Sequence, residues 1–288
     1  MVWKSFVNGA RQMWSYRRLL AIFYLVNLLA GLLVAVPARS LLSRVAGRSL
    51  MGRVLADQVN MDFVFELFRY HAAGTRLVLG MFLFVTVLYA LVQLFFSGGA
   101  LAVFHSGQSY RSDLFWGSAG AYFGRFVRLA LWALPVLAVL FLLQYVEKGL
   151  ERLIFGSDPY QYITYWGGWI RVGLRYLSFI LYLMVLDYAR IYAVISGERR
   201  MRLAVWRGLK FTFRNLGGTL LLALLLLAVG WLGWLIYGPV AGLLGSSAAA
   251  VILFLFLWQQ IFMAFRMGLQ LTRYSSEMIL YKWRTGLL

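Results

Sequence analysis

LGGTLLLALLLLAVGWLGWLIY, running from Leu216 to Tyr237, contains no charged side chain. A helix rises about 1.5 Å per residue, so about 20 apolar residues cross the roughly 30 Å of bilayer hydrocarbon while every backbone amide is bonded inside the segment. Five more segments meet the same requirement: Leu19 to Val36, Leu77 to Phe96, Leu129 to Tyr145, Val172 to Ile195 and Ala248 to Met267. The expected fold is all-α: a polytopic integral membrane protein with six transmembrane helices and in-plane amphipathic helices, forming one domain over residues 1–288. Tyr160, Tyr162, Tyr165, Trp166 and Trp169 precede the fourth span, where aromatic rings rest at the headgroup level.

Composition points the same way. With 62% hydrophobic and only 13% charged residues, the chain lies outside the range of soluble domains. Its formal net charge of +18 sits at the ends of apolar segments instead of along one soluble face, so a nucleic-acid partner is not expected. Cysteine is absent, and His71 and His105 are the only histidines. Disulfides, thiolate chemistry, a metal site and a cofactor are therefore not expected.

If the N-terminus is cytoplasmic, that side carries Lys4, Arg11, Arg17, Arg18, Arg111, Arg125, Arg128, the basic residues from Arg199 to Arg214, Arg266, Arg273, Lys282 and Arg284. The other side carries Arg39, Arg44, Arg48, Arg53, Arg69, Arg76, Lys148, Arg152 and Arg171. The excess, 17 against 9, favours both termini on the cytoplasmic side. Asp57, Asp62, Glu66, Glu147, Glu151 and Asp158 then fall outside. The first span resembles a signal peptide in its basic flank, but its apolar core exceeds the roughly 7–15 residues of such a segment, so it is expected to be retained.

Between the first two spans, Asn60 to Tyr70 reads as a short surface helix that buries Val64, Leu67 and Phe68 against the bilayer or the bundle. On the inner side, Ser112 to Val127 and Arg199 to Phe213 both space their large apolar residues three to four apart and read as in-plane helices. Arg199, Arg200, Arg202, Arg207, Lys210 and Arg214 mark the second as a candidate site for anionic lipid headgroups, although the same charges also serve as the topology signal. Trp116 and Phe123 match Trp206 and Phe213 at one offset, so spans two and three read as a tandem copy of spans four and five, an arrangement used by some transporters.

Asp187 and Arg190, three apart late in the fourth span, share a helix face and are expected to pair, because an isolated charge at membrane depth costs about 2.5–3.5 kcal/mol. Asn27, Gln93, Gln259 and Gln260 are candidates to complete an intramembrane polar layer with them. Such a layer is either a structural clasp or a path for solute or protons. Glu147 and Glu151 are expected to form solvated ion pairs with Lys148 and Arg152. Gly98-Gly99, Gly120 with Gly124, Gly217-Gly218 and Gly238 with Gly242 permit close helix approach or sharp turns. No Walker loop, dinucleotide fingerprint, paired metalloprotease histidines or nucleophile elbow occurs, so catalytic residues are not expected.

The Asp-Tyr-Ala-Arg segment at Asp187 to Arg190, the basic loop after it, and the run from Gln259-Gln260 through Arg266 to Leu280-Tyr281 resemble a loose group of bacterial six-span proteins of unknown function. These are similar in layout to the membrane domain fused to some glycerophosphodiester phosphodiesterases. No phosphodiesterase catalytic domain accompanies the resemblance here, so it implies a bacterial inner (cytoplasmic) membrane protein and no activity. The expected function is a non-enzymatic accessory or scaffold subunit that binds membrane lipid, anionic in particular, and other membrane proteins. A transporter or channel for a small or amphiphilic solute is the alternative, and an intramembrane enzyme ranks third.

Overall fold

The computed structural model describes residues 1–47, 60–156, 160–243 and 249–287. It is 92% helical, and no strand occurs among the described residues. In chain order the helices are α1 (Val2–Ser15), α2 (Arg17–Val45), α3 (Met61–Tyr70), α4 (Ala72–Ser106), α5 (Ser112–Phe141), α6 (Val146–Phe155), α7 (Gln161–Ser196), α8 (Met201–Arg214), α9 (Leu216–Leu243) and α10 (Ala249–Thr285), with a 3-10 turn, Leu142–Tyr145, between α5 and α6. Six of them, α2, α4, α5, α7, α9 and α10, are long and apolar enough to cross a membrane. Each maps onto one span expected from the sequence, so the chain is an all-α polytopic membrane protein. Arg48, Arg53, Asp57, Asp158 and Ala248 lie outside the described residues.

Two compact units are present, Met1–Leu20 with Leu94–Leu288, and Ala21–Gln93. In the smaller unit the Asn60 side chain caps α3 by accepting from the Phe63 amide at 3.0 Å. That start sets the helix phase. Phe63 is buried, Val64 and Leu67 are half-buried, and Phe68 is exposed. The Thr75 hydroxyl donates to the Leu67 and His71 carbonyls and ties α3 to the first turn of α4.

In the larger unit α7 is central. Two thirds of its apolar window, 67%, is buried, against 6% for that of α10. In α10 the buried residues, Met267 to Tyr281, lie beyond its exposed first half. The 37 residues of α10 extend about 55 Å, well beyond the hydrocarbon thickness, so roughly 17 residues of it require a core of their own. Leu253, Phe256 and Leu257 early in α10 are exposed and suited to lipid contact, whereas Leu271, Tyr274, Met278 and Leu280 are buried. The sixth helix thus continues 18 residues past the expected end at Met267. Helix α1, which the sequence reading did not anticipate, packs along this extension. A Cβ at Gly9 would overlap Ser276, and the Ser275 hydroxyl donates to the Gln12 side chain. Both described chain ends therefore lie at one end of this unit, here termed the terminal end.

Ser112 to Val127 is not a separate in-plane helix, since α5 runs unbroken from Ser112 to Phe141. The matching segment, Arg199 to Phe213, does stand alone, because α8 breaks at Asn215 before α9 begins. Close packing at Gly98 and Gly99 agrees with the sequence reading: a Cβ at Gly99 would stand 2.7 Å from the Phe115 carbonyl. Gly120, Gly124, Gly217, Gly238 and Gly242 have open space where a Cβ would go, so they do not mediate close approach.

At the opposite end of this unit, α6 and the 3-10 turn are laced to α7. Arg175 donates to Gln144 at 3.0 Å, Arg171 to Glu147 at 2.8 Å, and Thr164 to Glu151 at 2.9 Å. These replace the expected pairs with Lys148 and Arg152. Adjacent residues on a helix point apart, whereas α7 runs antiparallel alongside and presents its polar groups at matching spacing.

Candidate functional site

Two charged constellations occur in the larger unit. The first is buried. Asp187 Oδ1 accepts from Arg190 at 3.1 Å, as the three-residue spacing requires, while Oδ2 lies 3.3 Å from Nε of Arg273 on α10. Glu277, one turn beyond Arg273, is buried beside them, and Tyr188 is buried against Phe211, which in turn packs on Tyr281. Sequence reasoning found Asp187 and Arg190 but left Arg273 and Glu277 in a tail after the last span.

Within the larger unit, two other candidates for the polar layer, Gln259 and Gln260, are placed elsewhere. Gln259 and Gln260 precede Arg273 on the same helix by 13–14 residues, about 20 Å along its axis, and Gln259 is exposed. They do not belong to the Asp187 layer. In the smaller unit, the Asn27 side chain accepts from the Tyr89 hydroxyl at 3.0 Å, and Gln93 is half-buried at that unit's end on α4.

The second constellation is open to solvent. Helix α7 stops at Gly197, whose φ of +66° is a conformation that glycine adopts without strain. Glu198 then accepts through one carboxylate oxygen from the backbone amides of Arg199, at 2.9 Å, and Arg200, at 2.8 Å. These two amide donors, Arg200 first, hold its carboxyl below the usual glutamate range. The chain re-enters helix at Met201, and α8 lies along α7 with Met201, Ala204, Val205, Gly208 and Thr212 buried. Arg199, Arg200 and Arg202 remain exposed at the start of α8. Arg128 and Trp132 of α5 meet them there around a cavity of about 440 Å³, which Met201 also lines.

Arg128 Nε donates to the Gly124 carbonyl at 3.2 Å, which steadies its side chain along α5. Among the described residues, none of the four guanidiniums forms an ion pair. Of the six basic residues singled out in the sequence, Arg199, Arg200 and Arg202 join this cavity, and Arg207, Lys210 and Arg214 continue along the exposed surface of α8. Arg128 and Trp132 escaped notice as site residues. Their signal was a basic residue and a tryptophan four apart at the mouth of an apolar span.

Compared with known protein families, curated proteins and solved structures, the chain matches none.

Proposed function

We propose that this protein is a non-enzymatic accessory or scaffold subunit of a bacterial inner membrane, with both termini cytoplasmic, that holds anionic lipid at its terminal end and docks other membrane proteins. The observation that carries the reading is α8: its inner face is fixed against α7, while Arg199, Arg200, Arg202, Arg207, Lys210, Arg214 and Trp206 remain outward. Basic groups at a membrane surface attract anionic headgroups at about 1 kcal/mol each, and tryptophan favours the headgroup zone. Exposed Phe65, Phe68 and Tyr70 on α3 supply an apolar surface for a protein partner. The double pairing of Asp187 favours a structural clasp over a solute path, which ranks the transporter reading second.

The test is extraction of the full chain in mild detergent, followed by analysis of its bound lipid and protein. Enrichment of anionic lipid over its share in the source membrane, or a stoichiometric protein partner, is expected. A bare monomer with neither would overturn the reading.

A further inference from the structure

The cavity at the start of α8 has a more specific chemistry than a basic surface. Four guanidiniums converge on it from two elements that are far apart in sequence, the α7–α8 connection and α5. The nearest carboxylate in sequence, that of Glu198, already accepts two backbone amides. Even if Glu198 offsets one charge, three remain. A singly charged phosphodiester would leave two of those charges uncompensated, whereas a terminal phosphate, at about −1.5 to −2, leaves about one and a diphosphate fewer still.

Arginine is suited to this role because its planar fork donates two parallel bonds to a phosphate. Met201 and Arg202 open a 14-residue helix, so their backbone N–H groups have no intrahelical acceptor. The volume of about 440 Å³ falls within the usual range for small-molecule sites.

Position distinguishes a lipid from a soluble anion. Trp132 lies one helical turn beyond Arg128 in the direction of the span, and exposed Val139 continues the same face of α5 two turns further on. A headgroup seated among the arginines would have its acyl chains alongside this apolar surface.

We propose that Arg128, Arg199, Arg200 and Arg202, with Trp132, form a binding site for a membrane lipid whose headgroup ends in a phosphomonoester or diphosphate. This rests on the lipid-binding reading above and narrows it to one headgroup chemistry and one place.

The test uses the full chain in detergent, titrated with dioctanoyl phosphatidic acid, dioctanoyl phosphatidylglycerol and inorganic diphosphate, with binding followed by native mass spectrometry and calorimetry. Phosphatidic acid is expected to saturate one site about ten-fold more tightly than phosphatidylglycerol. R128Q and R200Q should each weaken it about ten-fold, and K148Q/R152Q, which removes two exposed charges from α6, should leave it unchanged. Both cavity arginines are exposed, so these variants retain the core.

Wild-type affinity in both R128Q and R200Q would overturn the cavity as the site while leaving lipid binding intact. Equal affinity for the two lipids would overturn the dianionic headgroup. Inorganic diphosphate binding as tightly as phosphatidic acid would overturn the lipid as the source of the phosphate. Failure of every anionic lipid to bind would overturn the broader reading as well.

Discussion

Gly208 of α8 stands so close to α7 that a Cβ on it would lie 2.7 Å from the backbone nitrogen of Ala189. Backbone cannot yield as a flexible side chain can. Gly208→Val should therefore lift α8 from α7, at a cost of about 1–3 kcal/mol or more from overpacking. The expected result is a lower unfolding midpoint in detergent together with loss of any anionic-lipid binding at Arg199, Arg200 and Arg202. A variant with unchanged midpoint and binding would show that α8 is not held by this contact.

Asp187 faces Arg190 and Arg273 from inside the core. Asp187→Asn removes the carboxylate that both guanidiniums face and leaves only Glu277 beside them, a change worth about 3–5 kcal/mol when a buried pair is broken. The folded yield should fall sharply, and adding Arg273→Gln should recover part of it. Normal yield for Asp187→Asn would remove the case for a clasp.

The extent to which these features were legible in the sequence follows from what surrounds each residue. The six spans could be read because lipid demands an unbroken apolar run, and the Asp187–Arg190 pair because three-residue spacing fixes two side chains on one helix face. Arg273, Ser275, Ser276 and Glu277 could not be placed in the same way. They are polar residues of α10 whose environment is other protein, so a hydropathy reading ends the helix just where the core begins. Helix α1 was concealed by its mixture of Lys4, Arg11 and isolated tryptophans. Arg128 reaches the α8 arginines only through the packing of α5, which no local spacing encodes.

Glu147 and Arg171 join α6 to α7 at 2.8 Å, with the carboxylate buried and the guanidinium partly exposed. Glu147→Leu should leave Arg171 without its partner and loosen α6, at a cost of about 1–2 kcal/mol after allowing for the exposure of Arg171. Faster proteolysis between α6 and α7 than in the wild type is the expected readout. An unchanged cleavage rate would assign α6 to some other restraint.

Glu198 supplies a pH dependence whose sign is fixed. Its folded-state carboxyl titrates below the ordinary glutamate range, so the contribution is complete above about pH 4.3 and fades as the pH falls through the lower folded value. Hydrogen exchange at the Arg199 and Arg200 amides, corrected for intrinsic rates, should accelerate on acidification through this window in the wild type. Glu198→Gln should abolish that pH response. A response that persists in the variant would place its origin elsewhere.

Gln12 and Ser275 bond across 263 positions of sequence. The groove that receives α1 is formed by the last spanning helix, α10, synthesised some 263 positions after Gln12. Until then α1 must wait without its partner, which makes its docking a late latch on assembly. Slowing synthesis through α10 should prolong the interval in which α1 is vulnerable to proteases, even though the first spans are already inserted.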